Sequence, residues 1–189
     1  MEQNLNTYSN KKILLHTCCG ICSAYPISLL QDMGYSVVAY FYNPNIFPLE
    51  EYQKRLEAEK TLCNHFGCEL IVGEYEPELY YNVVKGLENE PEKGKRCDKC
   101  FELRLRGAAK RSKKLGIKEG DTVKILEWEF EWYEKLTAIG EKIAQEEDLI
   151  YLSTNFRKQD GFLKTNKISK ELNLYRQNYC GCKFAMRKS

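Results

Sequence analysis

Two hydrophobic periods alternate along this chain. Ile13-Leu14-Leu15-His16 is a short, unbroken apolar run that ends at Thr17-Cys18-Cys19-Gly20 and predicts a buried strand. Ser23 to Met33 switches to helical spacing and stops at Gly34. Val37 to Tyr42 is β-branched and aromatic, a second strand closed by the turn residues Asn43-Pro44-Asn45. Leu49 to Phe66 repeats at helical intervals through Leu56, Lys60 and Cys63, and Glu69 to Val72 is a third strand. Leu79 to Gly86 fits neither period well. Cys97 to Leu115 predicts a basic helix stopped by Gly116. Thr122 to Leu126 predicts a strand, Trp128 to Glu147 a helix, Leu149 to Leu152 a strand, and Ser169 to Tyr175 a short final helix.

Strands that alternate with helices argue an α/β fold: a single domain with a mostly parallel sheet flanked by helices, in the Rossmann-like or nucleotide-hydrolase-like manner. Residues 11–189 are expected to form it, and the polar residues 1–10 a disordered tail. Ligands of such sheets bind beyond the carboxyl ends of the strands. Cys18 and Cys19 stand there, directly after the first strand.

Composition narrows the function classes. The 189 residues suffice for one real core, and 43% of them are apolar, an ordinary globular value. No apolar run reaches bilayer length, and the start lacks a basic-then-apolar signal pattern, so a cytoplasmic protein is expected. The net charge is only +2, but it is sorted along the chain. Ten lysines and arginines against two acids lie between Lys93 and Lys114, and nine against two between Arg157 and Lys188. Ten acids against three lysines separate them, from Glu119 to Asp148. Solvated helix faces would give the same blocks, but both basic blocks also carry cysteine motifs, which favours a phosphate-rich partner.

The nine cysteines are many for this length. With no secretory signal, metal binding or redox chemistry is expected rather than a disulfide scaffold. Seven fall into three groups: Cys18-Cys19-Gly20-Ile21-Cys22, Cys97-Asp98-Lys99-Cys100 and Cys180-Gly181-Cys182. Cys63 and Cys68 stand apart and read as core. Cys97 and Cys100 have the gap that turns two sulfurs to one metal at a helix start, where the dipole favours thiolate. With Cys18 and Cys19 they make four thiolates. An iron–sulfur cluster and a zinc ion are equally served by that set on spacing alone. Cys180 and Cys182, separated by a permissive glycine, suit a reversible disulfide or two ligands to a second metal. His16 is expected in the core or behind the cysteine loop, and His65 on the surface. Asp98 suits a helix cap first, a ligand-orienting group or proton donor second. Tyr175 and Arg176 suit stacking on a base and holding a phosphate, or an ordinary helix end. No glycine-rich phosphate loop is present, so ATP or NAD binding finds little support.

Three segments resemble one known family. They are Cys18-Cys19 with Cys22 after an apolar strand, Arg96-Cys97-Asp98-Lys99-Cys100 with Leu103-Arg104-Leu105, and Leu174-Tyr175-Arg176-Gln177-Asn178-Tyr179-Cys180-Gly181-Cys182. Together with Phe41-Tyr42-Asn43-Pro44-Asn45-Ile46 and Glu51-Tyr52, they resemble the cobalamin-independent epoxyqueuosine reductases (the QueH family) from about Lys12 to Phe184. The resemblance implies two-electron reduction of epoxyqueuosine in tRNA anticodons to queuosine, the last step of that modification. It implies Cys18, Cys19, Cys97 and Cys100 as ligands of a [4Fe–4S] cluster, Cys180 and Cys182 as a redox-active pair, and an additional mononuclear iron with unassigned ligands. Cys22 and Asp98 are then the candidate proton donors, tRNA the partner, and the electron donor unidentified. The chain departs from the family pattern at Gly20-Ile21, where alanine and proline are usual. It departs again at Val123 to Trp132, where members carry a threonine-rich strand and a Ser-Pro-Tyr segment. Two other readings remain: an iron–sulfur tRNA thiolation enzyme on a related scaffold, and a zinc-stabilised nucleic-acid-binding module.

Overall fold

The computed structural model describes residues 12–116, 122–125 (backbone only), 133–156, 158 and 160–186. The expected N-terminal tail therefore lies outside the described residues. So does most of the departing stretch from Val123 to Trp132.

Five parallel strands form one sheet in the order β3-β2-β1-β4-β5. They are β1 (Lys12–Thr17), β2 (Ser36–Phe41), β3 (Glu69–Val72), β4 (Thr122–Ile125) and β5 (Ile150–Tyr151). The strand order reverses between β1 and β4, so the crevice for a ligand opens at the carboxyl end of β1. The unbroken apolar run of β1 is explained by burial on both faces. Ile13 and Leu15, with Val37 and Ala39 of β2, pack under α1 (Gly20–Asp32) and α2 (Leu49–Phe66). Leu14, Val38 and Tyr40 face the other way, onto Ala108 of α4 (Lys95–Lys114). The helix α5 (Tyr133–Glu146) packs beside α4, and α6 (Gly161–Glu171) beside α1.

The α/β reading holds, and several boundaries move for identifiable reasons. The first helix starts at Gly20, three residues early, because Cys19 is its N-cap and accepts from the Cys22 amide. The ambiguous stretch after β3 contains a short helix, α3 (Pro77–Val83), with proline in its first turn. The basic helix starts at Lys95 with Gly94 as N-cap, so Asp98 sits inside the first turn and does not cap. The predicted last helix, Ser169 to Tyr175, is displaced: α6 runs over Gly161–Glu171, and Asn173 at φ 49° ends the helical path. The helix predicted from Trp128 is described from Tyr133 onward.

Candidate metal and redox site

Three cysteines are brought together where β1 ends. The sulfurs of Cys18, Cys19 and Cys22 all lie within 4.8 Å of one another. The extended backbone at Cys19 (φ −176°, ψ 155°) turns its side chain back over the start of α1, 3.9 Å from the Cys18 sulfur. Gln177 closes the group from the C-terminal segment: its Nε2 donates to Cys19 Sγ at 2.8 Å and to Cys22 Sγ at 3.5 Å. Burial disfavours a charge on Cys19. Hydrogen bonds from the Cys18 and Cys22 thiols and the Cys22 amide, with the nearby Arg55 guanidinium, outweigh it and hold Cys19 well below the ordinary thiol range. Cys18 is pushed up to about 11, chiefly by donating to Cys19. Cys22 is raised well above its usual value through its bonds to Cys18 and Cys19. The trio thus concentrates one thiolate on Cys19, the state in which cysteine binds metal.

The C-terminal pair lies against this site. Cys182 is buried and forms an isolated antiparallel bridge with Ile46, while Cys180 is exposed. Gly181 between them has φ 104°; a β-carbon there would stand 3.0 Å from Arg55 Nη1 and 3.1 Å from Ile46 Cγ1. Arg55 fastens the loop. Its Nη1 donates to the Cys180 carbonyl (3.1 Å), its Nη2 to the Tyr179 carbonyl (2.9 Å) and its Nε to Glu51 (2.7 Å). Tyr175 donates to the other Glu51 oxygen at 2.6 Å. Arg176 is exposed and donates to Asn166 Oδ1 at 2.7 Å.

Cys97 and Cys100 stand on the first turns of α4. Cys100 is buried with Tyr80, Val84 and Cys182, and the Tyr80 hydroxyl lies 2.9 Å from the Cys182 sulfur. Cys97 turns toward Phe101, Leu136 and Ile139, and its sulfur accepts the Lys93 amide at 3.4 Å. Among the described residues the close group of sulfurs is Cys18, Cys19 and Cys22, and Cys97 and Cys100 stand on α4. Ligands of a cubane cluster bind different irons and stand further apart than ligands of one ion. Asp98 forms an ion pair with Lys135 at 2.8 Å.

The residues behind the site are polar and buried. His16 Nε2 lies 2.8 Å from the Tyr42 carbonyl. Burial, helped by Arg104, lowers its pKa to about 4, so the neutral ring donates that hydrogen bond. Asn43 donates to the Thr17 carbonyl at 2.8 Å and so ties the end of β2 to the cysteine loop. Cys63 is in the core and Cys68 packs against it; His65 is exposed. Sequence reasoning missed Arg55, Glu59 and Tyr80 altogether. The only signal for Arg55 was its i,i+4 spacing from Glu51, which surface helices share.

A profile of the family described as epoxyqueuosine reductase QueH matches residues 13–188. The chain belongs to that family. It is 35% identical to the epoxyqueuosine reductase QueH of Haemophilus influenzae over 95% of this chain and 74% of the relative. It is 34% identical to that of Thermotoga maritima, over 92% and 90%. The Helicobacter pylori QueH is 38% identical over 93% of this chain, which spans about half (49%) of that relative. Among solved structures, the fold resembles the U34-tRNA thiolase NcsA from Methanococcus maripaludis with its [4Fe-4S] cluster (TM-score 0.62, 14% identity, 95% of this chain and 62% of that one). It also resembles a predicted tRNA methyltransferase subunit from Methanocaldococcus jannaschii (TM-score 0.52, 12% identity, 85% and 76%). Membership makes the chain an oxidoreductase of the QueH type. The soft sulfur donors of the site fit a metal cofactor. No helix among the described residues is long and apolar enough to cross a membrane.

Proposed function

We propose that this chain reduces the epoxide of epoxyqueuosine in tRNA to the alkene of queuosine, with a [4Fe–4S] cluster on Cys18, Cys19, Cys97 and Cys100 and with Cys180 and Cys182 as a dithiol. The observation that carries the reading is the gathering of Cys18, Cys19 and Cys22 at the crevice, closed by Gln177 from the segment that bears Cys180 and Cys182. Removing the epoxide oxygen as water takes two electrons and two protons. Oxidation of the Cys180–Cys182 dithiol to a disulfide releases both, so the step balances; an external reductant, not yet identified, must then reopen the disulfide. When bound, the cluster and the further iron that family membership implies would supply electron transfer and a Lewis-acidic contact for the epoxide oxygen.

The chain's own residues do the rest. Cys22, which keeps its proton beside the Cys19 thiolate, is placed to donate to the departing oxygen. Asp98, the other acid that the resemblance offers, is paired with Lys135 and would orient a neighbouring group rather than give a proton. Gly181 and Arg55 hold the dithiol loop against the site. The cations of α4 grip the anticodon backbone, so tRNA affinity falls as salt rises. The U34-tRNA thiolase fold supports the second reading, a thiolation enzyme, but Thr17-Cys18-Cys19-Gly20 occupies the place of an ATP-binding loop.

The test is the metal and sulfide content of protein purified without oxygen, followed by turnover of epoxyqueuosine tRNA. Four or more irons with matching sulfide are expected. Zinc alone would replace the reductase reading with the nucleic-acid-binding module. Cys180→Ser is expected to keep the iron content and lose at least about a hundredfold in turnover, on the scale of a displaced reacting group. Full turnover in that variant would remove the dithiol from the mechanism.

A further inference from the structure

A cleft of about 510 Å³ lies between α4 and the carboxyl ends of β2 and β3, on the face of the sheet away from α1 and α2. Pockets of that size hold small organic ligands. Tyr40 and Tyr42 form its inner wall as a stacked pair, ring centroids 5.7 Å apart and 10° from parallel. Two glycines make room for them. A β-carbon on Gly107 would meet the Tyr42 ring at 2.4 Å, and one on Gly73 would meet Tyr42 Cδ2 at 2.7 Å and the Tyr40 hydroxyl at 2.8 Å. Glycine inside a helix costs about 1 kcal/mol relative to alanine, and here its small size leaves Tyr42 its place beside the cleft.

The polar groups of the cleft are only partly paired. Both tyrosines that line the cleft carry a hydroxyl able to give or take a hydrogen bond. Arg111 lines the opposite wall, and its buried Nε has no hydrogen-bond partner among the described residues. Arg106 is neutralised by Glu102 and Glu146, but Lys110 and Lys114 beside it form no ion pair among the described residues. Glu74 and Glu76 stand on the rim. This mixture is selective. Three basic groups against two carboxylates suit a ligand that carries an anionic group together with hydrogen-bond donors. A nucleotide satisfies both sets: its phosphate takes the cations, and the amino or imino hydrogens of its base take the carboxylates and phenol oxygens.

We infer that this cleft holds an unpaired nucleotide of the substrate RNA, next to but not at the reacting position. The inference rests on the tRNA reading above and gives it a defined anchor. Lys110 lies ten residues along α4 from Cys100, about 15 Å at 1.5 Å per residue. That is too far for the base being reduced and within reach of a neighbour in the same loop.

Fluorescence anisotropy with a labelled anticodon stem–loop RNA, and with a blunt duplex of equal length, tests it. Lys110→Ala/Arg111→Ala is expected to weaken the stem–loop about tenfold and to flatten the salt dependence by about one phosphate contact. Tyr40→Phe/Tyr42→Phe, which removes only the two hydroxyls, is expected to weaken the stem–loop about fivefold with the salt slope unchanged and the duplex unaffected, as loss of uncharged base contacts predicts. In turnover, both variants should raise KM and leave kcat alone. Unchanged stem–loop affinity in either variant, or equal weakening of stem–loop and duplex by the tyrosine variant, overturns the nucleotide cleft. Parent protein that shows the expected binding pattern but reduces no epoxyqueuosine would refute the reductase reading and support the cleft.

Discussion

Arg55→Ala is expected to destabilise the protein by about 3–5 kcal/mol, the range for removing one partner of a buried ion pair, and to abolish turnover. Arg55 is among the largest fully buried side chains, 1% exposed, and its neighbour Glu51 is 7% exposed. Without the guanidinium, Glu51 keeps a buried carboxylate with only the Tyr175 hydroxyl to solvate it. The carbonyls of Tyr179 and Cys180 lose their donors at the same time. The catalytic loss is a separate effect, because those carbonyls fix the loop that carries both thiols of the C-terminal pair. Arg55→Lys separates the two. Lysine is a point charge without the planar fork, so it keeps the ion pair and forfeits the two-carbonyl grip. Its melting should lie close to that of the parent, with turnover still at least about a hundredfold down. Adding Glu51→Gln to Arg55→Ala should recover much of the stability and none of the activity. Chemical denaturation and single-turnover reduction read both quantities, and an Arg55→Lys variant at parental turnover would mean that the loop is held by something else.

What the sequence made legible and what it hid divide along a physical line. β1 and β2 were readable because strands buried on both faces are written as unbroken apolar runs, and Ile13-Leu14-Leu15 is such a run, too short for a helix of its own. The cysteines were readable as residue types at tight spacing. Their arrangement was not, because Gln177 meets Cys19 across 158 positions and Arg55 meets Cys180 across 125. On α2, Glu51 and Arg55 have the spacing of any solvent-exposed helical pair, and only the return of residues 174–182 over that helix buries them. The misplaced last helix has a local cause. Phe162 and Leu163 are exposed, so α6 shows a weak apolar stripe, and the αL residue Asn173 ends the helix inside the segment whose composition had predicted it.

Glu59→Gln is expected to stabilise the protein by about 3 kcal/mol near pH 7 and by close to nothing near pH 4.5. Glu59 is completely buried under the start of α1. Ser23 Oγ lies 2.9 Å from Glu59 Oε2 and 2.9 Å from the Cys19 carbonyl. A serine has one hydroxyl proton for two acceptors. If it goes to the carbonyl, the carboxyl group must keep its own proton and donate to Ser23. Burial, the largest cause, raises the Glu59 pKa from 4.5 to about 8, with a smaller contribution from Cys18. The native state then holds a proton that the unfolded chain has released, so stability falls as pH rises from about 4.5 to about 8. Glutamine has the same shape, donates to Ser23 through its amide and cannot ionise, so that fall disappears. His16 acts in the opposite sense. Its pKa drops from 6.5 to about 4, so its contribution weakens as pH falls through that window. Below pH 6.5 the two slopes oppose each other, and between 6.5 and 8 Glu59 acts without His16. Urea denaturation of parent and variant at several pH values across both windows isolates the effect. A gain that grows from acid to neutral pH is expected; a difference that does not change with pH would show that Glu59 is ionised in the folded protein, with Ser23 donating to it and the Cys19 carbonyl left to another donor.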